Sequence, residues 1–333
     1  MITVKVSTSN PEVKSLLLRQ TPGCSGLWKG VRFIVDEHID KCDWWVVCHR
    51  TGLKNKQSLI CDPDHLAYIS MEPFESNYKF IKQFTYKILC DKYVTDKTIK
   101  YFNGITWWVG MNVTNAKGYY FSNNYTLDYD TLSSMHVPEK KTRISVVCSR
   151  NTYLPGHRKR LEFIDRLMRH PMSKHIDYFG GGNKPVADKW DAIAPYKYHL
   201  VLENSVVEDY WTEKIGDAYI GFSYPIYYGC PNILEYFSGE SLQVIDIDNF
   251  DESVAVLERI IKEDPYQDRL DAIIQARRKV LNDYNIFNIM ADICDKPAAR
   301  YKKCMLKPLS CYQRSLPRRL ARKVIYSIKG IKD

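Results

Sequence analysis

The sequence holds 333 residues, 45% hydrophobic and 13% aromatic, enough for two ordinary domains with full cores and too apolar for a disordered chain. Its net charge of +9 is not a nucleic-acid footprint, because residues 300–333 hold eleven Lys or Arg against one acid, leaving 37 basic and 38 acidic residues elsewhere. The ten cysteines form no CxxC pair, so neither a zinc site nor a disulfide framework is expected.

The N-terminus "MITVKVSTSN" has no apolar signal-peptide core, and no apolar run approaches a membrane span, so a cytoplasmic protein is expected. Four apolar strands alternate with polar segments in the first part: Ile2 to Thr8, Val31 to Asp36, Trp44 to His49, and Leu66 to Ser70. That rhythm is α/β. "LAYISMEPF" ends the fourth strand at Glu72-Pro73, and proline keeps the residue before it extended. Glu72 is thereby placed at the strand's carboxyl end, where a carboxylate serves either as a general base or as a solvated loop acid. Glu75 is an equal rival. The tryptophan pairs at Trp44 and Trp107 read as core, with sugar stacking the alternative. "HVPEKKTR" (His136 to Arg143) is polar, contains Pro138 and precedes a fresh strand, which sets domains of 1–138 and 139–298, with a basic tail over 299–333.

The second part repeats the rhythm. "ISVVCS" leads through "RNTYLPG" into the helical "HRKRLEFIDRLMRH", followed by "HIDYFGGG", "YHLVL", a helix from Glu213, "PIYYG", "QVIDID" and two amphipathic helices. Alternation of this kind predicts parallel sheets, and such sheets bind ligands beyond the carboxyl ends of their strands. Glu203 and Asn204 lie at one such end. From Glu213 on, Ile215, Ala218, Tyr219 and Phe222 form the stripe of a helix lying on a sheet. Lys214 in its first turn is oddly placed, since a helix start is already partly positive. Either Glu213 pairs with it, or a phosphate is held there by the helix and the lysine together. Arg158, Lys159 and Arg160 crowd a second helix start, and two such cases in one domain point to a shared anion such as a pyrophosphate. "FGGGNK" reads as a tight turn, and the DxD-like runs at Asp128 and Asp246 are not read as metal sites.

Taken together, these motifs resemble a family. "YHLVLENSVVEDYWTEKIGDAYIGFSYPIYYGCPNI" resembles the signature block of the family 10 glycosyltransferases, the α-1,3/1,4-fucosyltransferases. "RLEFIDRL" resembles the family's arginine segment, and "MEPFESNYKFIKQF" followed by "WWVG" its acceptor-side region. The resemblance implies a GT-B fold, two Rossmann-like domains facing a cleft, and GDP-fucose as donor. It implies that Arg160 and Lys214 neutralise the pyrophosphate, that Asn204 and Tyr210 line the donor pocket, and that Glu213 stands near the ribose and sugar. Glu72 matches the base of an inverting transfer to a hydroxyl of a surface-glycan acceptor of the lipopolysaccharide type. Fixed cations imply that no divalent metal or other cofactor is required. Met71 departs from the small residue the family places before the base.

The tail resembles the basic amphipathic ends of bacterial members. Leu320, Val324, Ile328 and Ile331 form an apolar line flanked by basic residues, as in a segment lying on an anionic membrane. A peripheral protein on the inner face of the cytoplasmic membrane, with no nucleic-acid partner, is the expectation. Two alternatives stand beside it: the same fold with another nucleotide-sugar donor, and a non-catalytic binding protein working through its tail.

Overall fold

The computed structural model describes residues 1–8, 14–74, 77–90, 99–100, 106–111, 114–115, 118–119, 125–181 and 183–312. Its first unit is built from β1 (Ile2–Ser7), α1 (Lys14–Leu18), β2 (Leu27–Trp28), β3 (Val31–Val35), β4 (Trp44–Cys48), β5 (Gln57–Cys61), β6 (Leu66–Ile69), α2 (Tyr78–Ile81), β7 (Tyr86–Ile88) and β8 (Ile99–Lys100). A short hairpin, β9 (Thr114–Asn115) and β10 (Gly118–Tyr119), and α3 (Tyr129–Ser134) complete it. Seven strands form one sheet in the order β2-β3-β1-β4-β6-β7-β8, parallel except where β2 meets β3. Trp44, Trp45 and Trp107 are buried in the core, so these rings are packing rather than open sugar platforms.

The second unit follows as β11 (Lys141–Val147), α4 (Pro155–Leu167), β12 (Ile176–Phe179), α5 (Lys189–Ile193), β13 (Tyr196–Leu202), α6 (Glu213–Ile220), β14 (Tyr224–Tyr228), β15 (Gln243–Val244), α7 (Phe250–Glu263), α8 (Tyr266–Leu281) and α9 (Ile286–Ile293). All five strands are parallel, in the order β12-β11-β13-β14-β15. Central β13 is buried at every position but Lys197 because both its faces are covered. The predicted stripe of α6 is buried: Ile215, Ala218 and Tyr219 are wholly enclosed and Phe222 nearly so.

Buried polar groups dock the two units. Asp217 of α6 accepts from the backbone N–H of Trp108 at 2.9 Å and of Val109 at 3.3 Å, and Asp188 accepts from Gly110 N at 2.8 Å. Arg277 donates to Ile220 O at 3.0 Å and across to Leu132 O at 2.5 Å. From Asn285 the chain turns back to the first unit. Asn285 Nδ2 donates to Gln20 O at 2.9 Å, Phe287 packs edge-on against Phe33 at 5.1 Å, and Trp44 Nε1 donates to Lys296 O at 2.8 Å. The return therefore begins ahead of residue 298, where the sequence reading closes the second domain.

The tail differs from its reading as well. Lys302–Leu306 is a strand, β16, paired antiparallel with β5, Lys302 opposite Cys61 and Leu306 opposite Gln57. Cys304 and Leu306 are buried while Met305 between them is 58% exposed, the period-two pattern of a half-buried strand. Its lysines dominate any charge count and hide that pattern. The amphipathic line from Leu320 to Ile331 lies outside the described residues. Among the described residues no helix is long and apolar enough to cross a membrane.

Candidate active site

At the carboxyl end of β13, Glu203 continues the sheet by donating its N–H to Tyr228 O at 2.9 Å. Its side chain is 1% exposed and accepts from Thr212 N at 2.9 Å, from Thr212 Oγ1 at 2.8 Å and from Lys214 Nζ at 3.1 Å. Thr212 is also the cap of α6, its Oγ1 accepting from Lys214 N at 3.4 Å. The lysine that looked misplaced at this helix start is thus held by two carboxylates, since Glu213 Oε1 lies 3.3 Å from Nζ. Burial works against the ammonium charge, but Glu203 and then Glu213 outweigh it and raise the lysine above its ordinary value. Burial likewise pushes Glu213 up, yet Lys214 and Lys189 prevail and hold it down at about 2.

The start of α4 presses against the same strand end. A Cβ on Gly156 would stand 2.0 Å from Asn204 O, so only glycine permits this approach. One residue on, His157 Nε2 meets Asn204 Nδ2 at 3.1 Å. Burial first, then the nearby charges of Arg160 and Lys214, lower the His157 proton affinity, a sign of positive potential in this corner. Arg160 is 5% exposed and donates from NH1 to Leu202 O at 3.2 Å. Its Nε and Asn204 Oδ1 are both buried with no hydrogen-bond partner. Buried polar atoms left open in this way are costly.

The other two cations of α4 point elsewhere. Arg158 donates to Thr152 O at 2.9 Å, while Lys159 donates to Tyr228 Oη at 2.9 Å and pairs with Asp248. Asp246 accepts from Asp248 N at 3.0 Å in a local turn. The glycine run closes a tight turn in which Gly180 and Gly181 take φ of 81° and 59° and Gly180 N donates to Lys184 O at 3.0 Å. Among the described residues no group of three or more His, Cys, Asp or Glu is placed to hold a metal.

On the first unit, Glu72 stands in the turn after β6. Ser70 Oγ accepts from Glu72 N at 3.2 Å, fixing the carboxylate just past the strand end. Glu72 Oε1 lies 3.2 Å from His49 Nε2 and 3.4 Å from Arg50 NH2. The His49 hydrogen bond is the strongest influence on the Glu72 carboxyl and lowers it; burial opposes, and Arg50 adds to the lowering. Tyr210 joins the two sides: burial raises its phenol most, and the charges of Glu203, Glu213 and Glu72 raise it further. Its hydroxyl therefore senses carboxylates of both units. Glu75 lies outside the described residues. Gly156, His157, His49 and Arg50 escape the sequence reading, because each works through a contact between segments far apart in the chain. "LPGH", with glycine in a helix's first turn, is the one local signal among them.

Residues 137–270 match the family model described as glycosyltransferase family 10 (fucosyltransferase), C-terminal. An α-(1,3)-fucosyltransferase of Helicobacter pylori is 40% identical over 70 residues, which is 21% of this chain and 15% of that protein. An α-(1,4)-fucosyltransferase of Arabidopsis thaliana is 31% identical over 132 residues, 34% of this chain and 32% of that protein. The alignments thus span less than a third of either relative's length. A crystal structure of an α1,3-fucosyltransferase with GDP-fucose aligns over 85% of this chain and 92% of its own, at 18% identity and a TM-score of 0.47.

Proposed function

We propose, on the premise that residues 137–270 belong to glycosyltransferase family 10, that the protein transfers L-fucose from GDP-fucose to a hydroxyl of a glycan acceptor. One observation carries the reading: the Arg160 guanidinium beside Asn204 is 5% exposed, yet its Nε–H has no hydrogen-bond partner. A diphosphate oxygen beside Asn204 would accept a hydrogen bond from Arg160 Nε–H, a charge-assisted bond.

In this reading the acceptor hydroxyl attacks C1 of β-linked fucose, and the bond from C1 to the diphosphate oxygen breaks with its electron pair leaving on GDP. Glu72 takes the hydroxyl proton, and the new linkage is α, with inversion. Developing charge on GDP is met by Arg160. Asn204 and Tyr210 line the donor side. Lys214 stands at the start of α6 on the pyrophosphate side, paired with Glu213, which stands beside the ribose and sugar. Fixed cations make a divalent metal unnecessary, so transfer should continue undiminished in excess EDTA.

We assign the acceptor to a surface-glycan precursor of the lipopolysaccharide type, met at the inner face of the cytoplasmic membrane. Its support is the run of eleven basic residues against one acid over 300–333, suited to an anionic surface. Thermal-shift measurement with GDP-fucose, GDP-mannose and UDP-sugars tests the donor, since a ligand raises stability only by binding the folded state. GDP-fucose should give the largest shift. A larger shift with another nucleotide sugar would keep the fold and change the substrate, and release of GDP on adding acceptor glycans then tests transfer itself.

A further inference from the structure

Both side-chain donors to Glu72 converge on one oxygen. His49 Nε2 and Arg50 NH2 stand 3.2 and 3.4 Å from Oε1, whereas Oε2 has no hydrogen-bond partner among the described residues. The histidine's tautomer follows from its other nitrogen. Thr51 N lies 3.4 Å from His49 Nδ1, and an amide N–H can only donate, so Nδ1 is the acceptor of the ring. Thr51 Oγ1, 2.7 Å from the same nitrogen, then donates as well. The proton of the neutral ring is left on Nε2, aimed at Glu72.

His49 is also held in a conformation that a residue with a Cβ adopts only at a cost. Its φ is 64°, in the left-handed region. Two backbone bonds impose it: His49 N donates to Ile69 O at 2.8 Å, and Gly52 N donates to His49 O at 2.9 Å. Strain held by surrounding bonds concentrates at functional turns, and this one brings the ends of β4 and β6 together at the cleft.

We propose that His49 is the positioning residue for Glu72: its Nε2–H, with Arg50, pins Oε1 and leaves Oε2 as the atom that takes the acceptor proton. This rests on the reading of Glu72 as the base. The acceptor O–H breaks towards Oε2 as its oxygen bonds to C1 and GDP departs with the electron pair of the broken bond. The charged and titratable groups facing Glu72 are His49 and Arg50 from the turn after β4 and the raised, uncharged phenol of Tyr210 across the cleft. Since the His49 bond holds the carboxyl low, its loss lets Glu72 rise towards its ordinary value.

The test compares kcat, KM for GDP-fucose and the pH profile of kcat/KM for the wild type, His49→Leu, His49→Gln and Glu72→Gln. His49→Leu should lower kcat by up to about 100-fold, the cost of a misplaced reacting group, with the donor KM unchanged. Its acid limb should move to higher pH, a readout that a merely structural role would not move. His49→Gln keeps an amide donor and should recover most of kcat. If His49→Leu retains kcat and its acid limb while Glu72→Gln is inactive, the positioning role is wrong and the base stands. If Glu72→Gln is active, the base reading fails and the positioning role falls with it. Should His49→Leu not fold, Thr51→Val carries the test by removing the hydroxyl that holds Nδ1. Its acid limb should shift in the same direction by less, and superposition on the wild-type profile would overturn the proposal.

Discussion

Arg160 and Lys214 enter the sequence reading as equals, and their surroundings separate them. Arg160 has an open Nε, whereas Lys214 is already bound to Glu203, Thr212 and Glu213. Arg160→Ala should therefore weaken GDP binding by about 1.5 to 3 kcal/mol, measured by calorimetry. Lys214→Ala should show itself first as lost stability, because Glu203 would remain buried at 1% exposure without its cation. Breaking a buried pair from one side costs on the order of 3 kcal/mol, to be read as a lower melting temperature. An unchanged melting temperature would sink this division of roles. Glu213 adds a pH signature. A carboxyl held down at about 2 contributes stability that is complete above its ordinary range and drains away as pH falls towards 2. In acid titration, Glu213→Gln should lose less stability than the wild type between about pH 5 and 2. Glu72→Gln, which keeps shape but accepts no proton, should lower transfer by roughly 10² to 10⁴ with donor affinity intact.

At the scale of elements, β16 alters what a tail deletion means. β16 fills an edge beside β5, and the segment after it touches α2: Asn77 Nδ2 donates to Tyr312 O at 3.0 Å, and Gln83 Nε2 donates to Lys307 O at 3.0 Å. Asn77 caps α2 and stands five residues after Glu72 in the sequence. Truncation before residue 300 should therefore expose Leu59 and Cys61 and lower the melting temperature along with activity. Truncation after residue 312 should leave both intact while reducing membrane association in flotation. Equal effects of the two truncations would show that β16 does not support the turn. The elements themselves were largely legible. Strand positions at Val31, Trp44, Leu66 and Tyr198 and the stripe of α6 follow from period and apolarity, which are properties of adjacent residues. β5 and β16 were not, because Gln57 to Cys61 and Lys302 to Leu306 carry only two buried side chains each and become strands by meeting.

For the whole molecule, the relative placement of the units rests on a few buried polar anchors. Asp217 is 1% exposed and serves two backbone amides of the first unit together with Lys189 Nζ at 3.1 Å. Burial, only partly offset by Lys189, raises its carboxyl. Asp217→Ala would orphan those amides and leave Lys189 without its nearest carboxylate. Cleft geometry should loosen, with kcat falling although neither Arg160 nor Glu72 is touched. Small-angle scattering and kinetics on one preparation check it: wild-type turnover in Asp217→Ala would mean that Asp188, Arg277 and the α9 crossing hold the cleft without it.

The sequence by itself determined the α/β class, the two-unit plan, the strand end at Glu203-Asn204 and the candidacy of Glu72, Lys214 and the cluster of Arg158, Lys159 and Arg160, because strand and helix periods and helix-start charges are written in neighbouring residues; the resemblance singled out Arg160. Tertiary structure alone decided that Lys214 is neutralised by Glu203, that Arg160 keeps an open nitrogen, that His49 and Arg50 grip one oxygen of Glu72, and that the chain's end folds back as a strand on the first unit. Each of those depends on which distant segments meet, and with them on burial and charge at the point of contact. No local period carries that information.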